Sequence, residues 1–446
     1  MTRTLLTLGL LLACAAALPA DEGVEPAAAT DAPSAKPATP TVEALQKRIE
    51  AIEKQNGTKT ITSAGLPGPV IRWSGQFQSD AYFWTQDAVS RAAVGDIQNG
   101  VAFRRARLAL NGDYGPTEFR IEGDMALAGR PSFLDVFAGI KNIPVLGTVR
   151  AGHFFEPFSL ERYTANRFVT FLERGIQDQP FAPARNTGIL VRNTYAEQRG
   201  TWAVGIFRTD SDNFGDDTGD NFQSAVTGRV TGLVYDEDAG TRYFHLGAAG
   251  SYRATKGNTA RFRAQPEARL GATTPNVPFF VDTGDITTGD YTLLGLEALL
   301  TEGSVSLQGE WIGSAVGNVR DGTLYFQSGY ATVTWLVTGE HRPYRRDNGT
   351  YERTVPNRDF VRTEGGRTAF GPGAVELALR VSHIDLDSGS VRGGKLTDFT
   401  FGVNWYLNPY FRVSTNYIHA FPAASNVKPN ARGQTDAIAA RVSFEF

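Results

Sequence analysis

The feature that most constrains this chain is a side-chain period of two running from residue 70 to the end. Phe119, Ile121, Gly123, Met125 and Leu127 alternate with Glu118, Arg120, Glu122 and Asp124. Val305, Leu307, Gly309 and Trp311 oppose Ser306, Gln308 and Glu310, and Ile438, Ala440, Val442, Phe444 and Phe446 oppose Arg441, Ser443 and Glu445. Such alternation marks strands with one apolar and one wet face. A sandwich of two sheets would have to hide many charged faces at its rim. A closed antiparallel barrel with lipid outside and water inside accommodates all of them, because closure leaves no unpaired edge in the bilayer.

Composition fits an all-β, transmembrane architecture: 48 Gly, 28 Phe and 15 Tyr, with one Cys and two Met. Mean hydropathy is −0.24, and the region after the leader has no apolar run near the ~20 residues of a membrane helix. Neither observation counts against a barrel, whose strands place only every second residue in lipid. Segments of barrel length begin near residues 70, 101, 117, 132, 145, 187, 200, 226, 242, 291, 304, 324, 374, 396, 410 and 435. They number sixteen, and single-chain bacterial barrels have even strand counts.

Ahead of the barrel (70–446) the chain changes character three times. Residues 1–20 read as a secretory signal, with Arg3, an apolar run from Leu5 to Ala13 and a closing Leu18-Pro19-Ala20. The alternative is a lipoprotein box at Leu11-Leu12-Ala13-Cys14, with Cys14 acylated. Residues 21–40 form an Ala/Pro-rich, disordered spacer. In residues 41–55, Val42, Leu45, Ile49 and Ile52 recur at the spacing of a short coiled coil.

Within the barrel, residues 151–192 start and end as alternating segments but lose the pattern between. That middle carries Arg162, Arg167, Arg174 and Arg185, four carboxylates and six phenylalanines. An irregular insert of this length inside a compact domain is usually functional. Its flanks are the fifth and sixth strands, so a periplasmic amino terminus puts it outside, long enough to fold back into the lumen and narrow it. Its phenylalanines would fix it to the inner wall. By the same parity the long stretch 339–373, with seven arginines against five carboxylates, lies on the periplasmic side. It either hides two strands or folds inward as well.

Several stretches stand out in order along the chain: Phe103-Arg104-Arg105-Ala106-Arg107-Leu108, residues 149–154 running into Glu156-Pro157-Phe158-Ser159, and Phe171-Leu172-Glu173-Arg174. Further on come Thr338-Gly339-Glu340-His341-Arg342-Pro343-Tyr344, residues 373–380 and residues 402–409. Together these stretches resemble the phosphate-selective porin O/P family of outer-membrane channels. The resemblance implies a homotrimer of sixteen-stranded barrels in the lipid of a Gram-negative outer membrane, with an inward-folded loop and inward-lying turns. It further implies passage of small anions, phosphate among the candidates, along lumenal arginines. The best-known members use a lysine cluster at the constriction, whereas residues 154–186 here contain no lysine.

Formal net charge is −3, so the whole chain is no binder of nucleic acid. Arginines outnumber the eight lysines, and a guanidinium suits bidentate contact with carboxylate or phosphate. Alternation turns Arg105, Arg107, Arg120, Arg150, Arg192, Arg380 and Arg441 inward, since an arginine facing lipid near the midplane costs about 2–4 kcal/mol. Together with Arg162, Arg167 and Arg174 of the loop they are the candidate pore-lining, anion-binding residues. The competing reading pairs them with Glu118, Glu122, Asp124, Asp135, Glu297 and Glu310, giving a weakly selective general porin or a plugged structural barrel. The five histidines are scattered and no Gly-x-Ser-x-Gly elbow is present, so neither an enzyme, a metal site nor a cofactor is expected.

Overall fold

A computed structural model describes residues 68–446 apart from 128, 210, 216–222, 273–276, 319 and 423–432. The expected signal, spacer and coiled coil lie outside the described residues. Sixteen strands form the sheet: β1 Val70–Gln86, β2 Gly100–Tyr114, β3 Thr117–Asp124, β4 Ser132–Ile143, β5 Gly147–Phe155, β6 Arg185–Tyr195, β7 Gly200–Arg208 and β8 Ser224–Glu237. The second half is β9 Arg242–Ala254, β10 Asp290–Glu302, β11 Val305–Asn318, β12 Gly322–Leu336, β13 Ala374–Ser388, β14 Val391–Asn408, β15 Phe411–Pro422 and β16 Thr435–Glu445. Each strand pairs antiparallel with its neighbours in sequence, and β1 pairs with β16 to close the barrel.

Strand starts fall within two residues of those expected, except that β14 begins at Val391 rather than near 396. A tight turn at Gly389 (φ 55°) and a bulge between Asp385 and Asp387 carry its hairpin with β13 farther than the clean alternation extends. The outward face is apolar, as at Trp73, Phe103, Ile121, Leu294, Tyr325 and Phe401. The connection 337–373 adds no barrel strand. It forms two small hairpins, Tyr344–Arg345 with Thr350–Tyr351 and Val361–Glu364 with Arg367–Phe370.

The first of these hairpins enters the lumen. Arg342 pairs with Glu376 of β13, and Arg229 of β8 donates to the carbonyl oxygens of Asn348 at 3.0 Å and Gly349 at 2.7 Å. Gly349 has φ 64°, and a Cβ there would lie 2.6 Å from Thr231 Oγ1. Glycine is what lets the tip press against the wall.

From the opposite end two connections fold inward: residues 156–184, hereafter the inward loop, and residues 255–289. Phe158, Ile176 and Phe181 of the first pack with Phe262, Phe280 and Val281 of the second. Both rest on Leu293, Ile312, Phe326, Ile384 and Leu396 of β10 to β14. The hydrophobic core is therefore inside the barrel, against one side of it. At about 1.5–3 kcal/mol for each fully buried large apolar side chain, this cluster is enough to hold the loop in place.

Candidate functional site

Polar anchors fix the inward loop at four places. Glu156, wholly buried, accepts Asn186 Nδ2 at 2.6 Å, Thr227 Oγ1 at 2.5 Å and Arg253 Nη1 at 2.7 Å. The one-turn helix Leu160–Tyr163 presents the amides of Leu160 and Glu161 to Glu310 at 2.9 and 2.8 Å. Arg174 donates to the carbonyls of Glu161 and Thr164 at 2.8 and 2.9 Å, which fixes the loop's internal fold. Glu173 lies between Arg104 (2.8 and 2.9 Å) and Arg441 (3.1 Å). Burial works to raise the Glu173 carboxyl, but Arg104 and Arg441 overcome it and hold the group well below the usual carboxylate range.

Loop and core fill the β9–β15 side, and three cavities in series remain, two of them against β1 to β6 and the third among the inward connections themselves. The outermost, near 470 Å³, is lined by Arg162, Arg261, Arg263, Arg269 and Asp178 with Phe279 and Tyr291. The middle cavity, near 260 Å³, shares Arg162, Asp178, Gln179 and Arg269 with it. Seven arginines face this middle space (Arg104, Arg105, Arg107, Arg162, Arg174, Arg185 and Arg269) against two carboxylates, Glu173 and Asp178. The innermost, near 140 Å³, shares Arg107, Phe155, Asn166 and Arg185 with the middle one. It adds Arg120, Arg167 and Arg345 against Glu122 and Asp135, and the hairpin residues Asn348 and Thr350 form part of its wall. Narrowing thus comes from the inward loop on one side and the entering hairpin on the other.

Of the expected pore residues, Arg105, Arg107, Arg120, Arg162, Arg167 and Arg174 line this path. The other four expected to face inward lie off these three cavities. Arg380 faces inward but is 1% exposed, bound by Glu267 at 2.5 Å and Glu161 at 3.2 Å under the folded connections. Arg441 is likewise buried between Asp80 and Glu173. Arg150 is held by Glu118 at 2.8 Å and lies over the Phe137 ring at 3.8 Å. Arg192 belongs to a separate small recess with Arg229 and Asp347.

Pairing accounts for much of the remaining charge: Arg107 meets Asp124 at 2.8 Å, Arg120 meets Glu122 at 2.9 Å, Arg185 meets Asp135 at 2.7 Å and Arg162 meets Asp178 at 2.9 Å. Two arginines of the middle cavity differ. Arg105 donates to Gln78 Oε1 at 2.6 Å and Arg269 to the Ala272 carbonyl at 3.3 Å, and neither touches a carboxylate among the described residues. Each also has a buried Nε with no hydrogen-bond partner. Burial pushes the Arg162 and Arg269 guanidiniums down to about 10, which leaves both charged at neutral pH.

Arg104 and Arg269 escape a reading of the sequence by period. A register shift between Gln78 and Ser79 makes Arg104 the unpaired residue of a bulge, so Arg104 and Arg105 both turn inward. Arg269 sits in a connection that parity marks only as external. Its signal was available, since a loop carrying Phe262, Val277, Phe280, Val281 and Ile286 has too many apolar residues to remain in water.

The profile of the family described as "Phosphate-selective porin O and P" matches residues 72–446. Porin O of Pseudomonas aeruginosa is 22% identical over 364 residues, covering 73% of this chain and 78% of its own length. An uncharacterized protein of Caulobacter vibrioides is 27% identical over 336 residues, or 71% of this chain, which spans only 62% of that relative. Among solved structures, an anion-selective porin from Comamonas acidovorans superposes with a TM-score of 0.54 at 14% identity, over 85% of this chain and all of that one. The outer-membrane channel DcaP of Acinetobacter baumannii gives 0.51 at 10% identity, over 87% of this chain and all of that one. A closed sixteen-stranded barrel, an interior path narrowed by folded connections and a profile match over most of its length lead to one assignment: the chain belongs to the phosphate-selective porin O and P family, as a channel of the Gram-negative outer membrane.

Proposed function

We propose that this channel passes small anions in preference to cations by passive diffusion, with phosphate among its solutes. The observation carrying this reading is the middle cavity, with seven arginines against two carboxylates and with Arg105 and Arg269 free of carboxylate contacts among the described residues. Selectivity in a wide pore follows the charge on its wall, and that charge acts more strongly in a narrow, partly desolvated space than in bulk water. Every cation there is a guanidinium, whose planar fork matches the paired oxygens of phosphate or carboxylate. The family assignment and the relative named Porin O support phosphate as a candidate, and family resemblance supports a homotrimer embedded in outer-membrane lipid.

Planar-bilayer reversal potentials in a KCl gradient test the anion preference. Anion permeability should exceed cation permeability, and clear cation preference would overturn the reading. Adding phosphate to chloride-carrying channels tests the solute: a concentration-dependent block of chloride current is expected if phosphate occupies the middle cavity.

A further inference from the structure

We propose that the seat of the inward loop is a proton-dependent latch: docking takes up protons, and the loop loosens as pH rises. The latch operates whatever ion the pore prefers, because it resides in the loop's attachment to the opposite wall.

Four carboxylates converge at that attachment. Glu310 of β11 accepts the amides of Leu160 and Glu161, together with Tyr330 Oη at 2.7 Å. Glu161 accepts the Gly175 amide at 2.8 Å and Arg380 Nη1 at 3.2 Å. Glu267, from residues 255–289, accepts Arg380 Nη2 at 2.5 Å, the Ile176 amide at 3.0 Å and Thr400 Oγ1 at 2.9 Å. Asp398 of β14 accepts the Glu267 amide at 2.8 Å, while its Oδ1 meets no donor among the described residues. None of the four is more than 5% exposed.

Arg380 is the one cation bonded to this group among the described residues. Neighbouring charges are already committed. Glu297 on β10, opposite Glu310, is bound by Arg229 and His245. Beyond Glu161, Asp178 is bound by Arg162, and Arg174 caps backbone carbonyls. Tyr330 and Tyr351 are buried hydroxyl groups in the same region.

Four ionised carboxylates around one guanidinium would leave a surplus of negative charge in a site closed to water. An uncompensated buried charge costs several kcal/mol, and binding a proton is the direct relief. The Asp398 oxygen without a donor is a natural place for one, since an ionised oxygen there would be left unsatisfied. Undocking returns Glu161 to water and opens the rest of the site to it, so the free loop holds protons less tightly than the docked one. Burial accordingly raises the Glu161 carboxyl above its ordinary value. A carboxyl raised by docking stabilises the docked form fully below its free-state value, and that contribution is lost as pH rises through the docked-state value. Glu173 shifts in the opposite direction, so the tip near Arg104 and Arg441 stays attached while the segment around Leu160–Tyr163 loosens.

Trypsin reads docking directly, because Arg162 and Arg174 are half-buried and bonded within the seated loop. The full-length protein is digested in lipid vesicles between about pH 6 and 9, and cleavage after these residues is normalised to a denatured sample at each pH. Each proton taken up on docking steepens the rise in cleavage by at most about tenfold per pH unit. Asp398→Asn keeps the shape, removes a charge and leaves one oxygen to accept the Glu267 amide, so cleavage should stay low across the range. Wild-type cleavage independent of pH would overturn the proposal, and so would Asp398→Asn following the wild-type curve. Ion preference does not enter this readout, so its failure is distinguishable from failure of the anion reading.

Discussion

At the scale of single residues, what separates an arginine that selects ions from one that holds the wall is whether a carboxylate already satisfies it. Arg380 shows how an inward orientation can mislead: alternation placed it correctly, but residues 255–289 cover it and Glu267 neutralises it. Arg104 shows the reverse, an inward residue concealed by a bulge that no period reveals. Arg105 and Arg107 together should matter far more than Arg358, which is exposed on the connection between β12 and β13. A unit charge about 8 Å from a passing ion is worth about 2 kcal/mol at an effective dielectric of ~20. Arg105→Ala with Arg107→Ala should therefore lower the anion-to-cation permeability ratio by roughly thirtyfold or more, since loss of Arg107 also uncovers the charge of Asp124, with little change for Arg358→Ala. Equal effects from both variants would mean that the path runs elsewhere. Glu173 allows a pH test. Arg104 and Arg441 depress its carboxyl despite burial, so the stability it contributes is fully present above the free value and is lost only as pH falls through the lower docked value. Loop noise in bilayers should therefore remain low down to about pH 4, and Arg104→Ala should raise it within the acid range.

Elements divide the lumen between them. The sequence made the inward loop legible because its irregular stretch lies between two alternating ones, and of its phenylalanines Phe158, Phe171 and Phe181 are buried while Phe168 lines the innermost cavity. The 255–289 connection was not legible by the same means, because parity assigns an end of the barrel and says nothing about folding back. Its partnership with the inward loop is a matter of packing: Phe158, Phe181 and Phe262 belong to one cluster with the β10–β14 wall. Phe158 is wholly buried, and truncating such a side chain costs about 3–5 kcal/mol. Phe158→Ala should thus loosen the loop without opening the barrel. We expect larger and noisier single-channel conductance at unchanged strand content by circular dichroism. Loss of strand content would show that the loop is needed for the sheet itself.

For the whole molecule, closure is what makes the rest possible. β1 and β16 pair over eleven residues, from Gln76 with Glu445 to Gln86 with Thr435. Across this seam Arg441 of β16 binds Asp80 of β1 at 2.7 Å and also reaches Glu173 of the inward loop. The loop tip is thereby attached to the place where the barrel shuts, so seam and constriction form one polar unit. Replacing Arg441 with Ala would leave Asp80 buried without its cation, a loss of about 3–5 kcal/mol, and should both lower barrel stability and free the loop tip. Residues 41–55 stand in a different relation to the barrel. Every described barrel strand finds both of its neighbours within residues 70–445, so the sheet's hydrogen bonds need nothing from upstream. Deleting residues 41–55 should therefore leave the barrel folded and resistant to detergent as a monomer. If the coiled coil expected there helps to gather three copies, trimer yield on a native gel should fall while single-channel conductance is unchanged. A deletion that unfolded the barrel would show that closure alone does not account for its stability, and that the upstream segment contributes contacts to the fold.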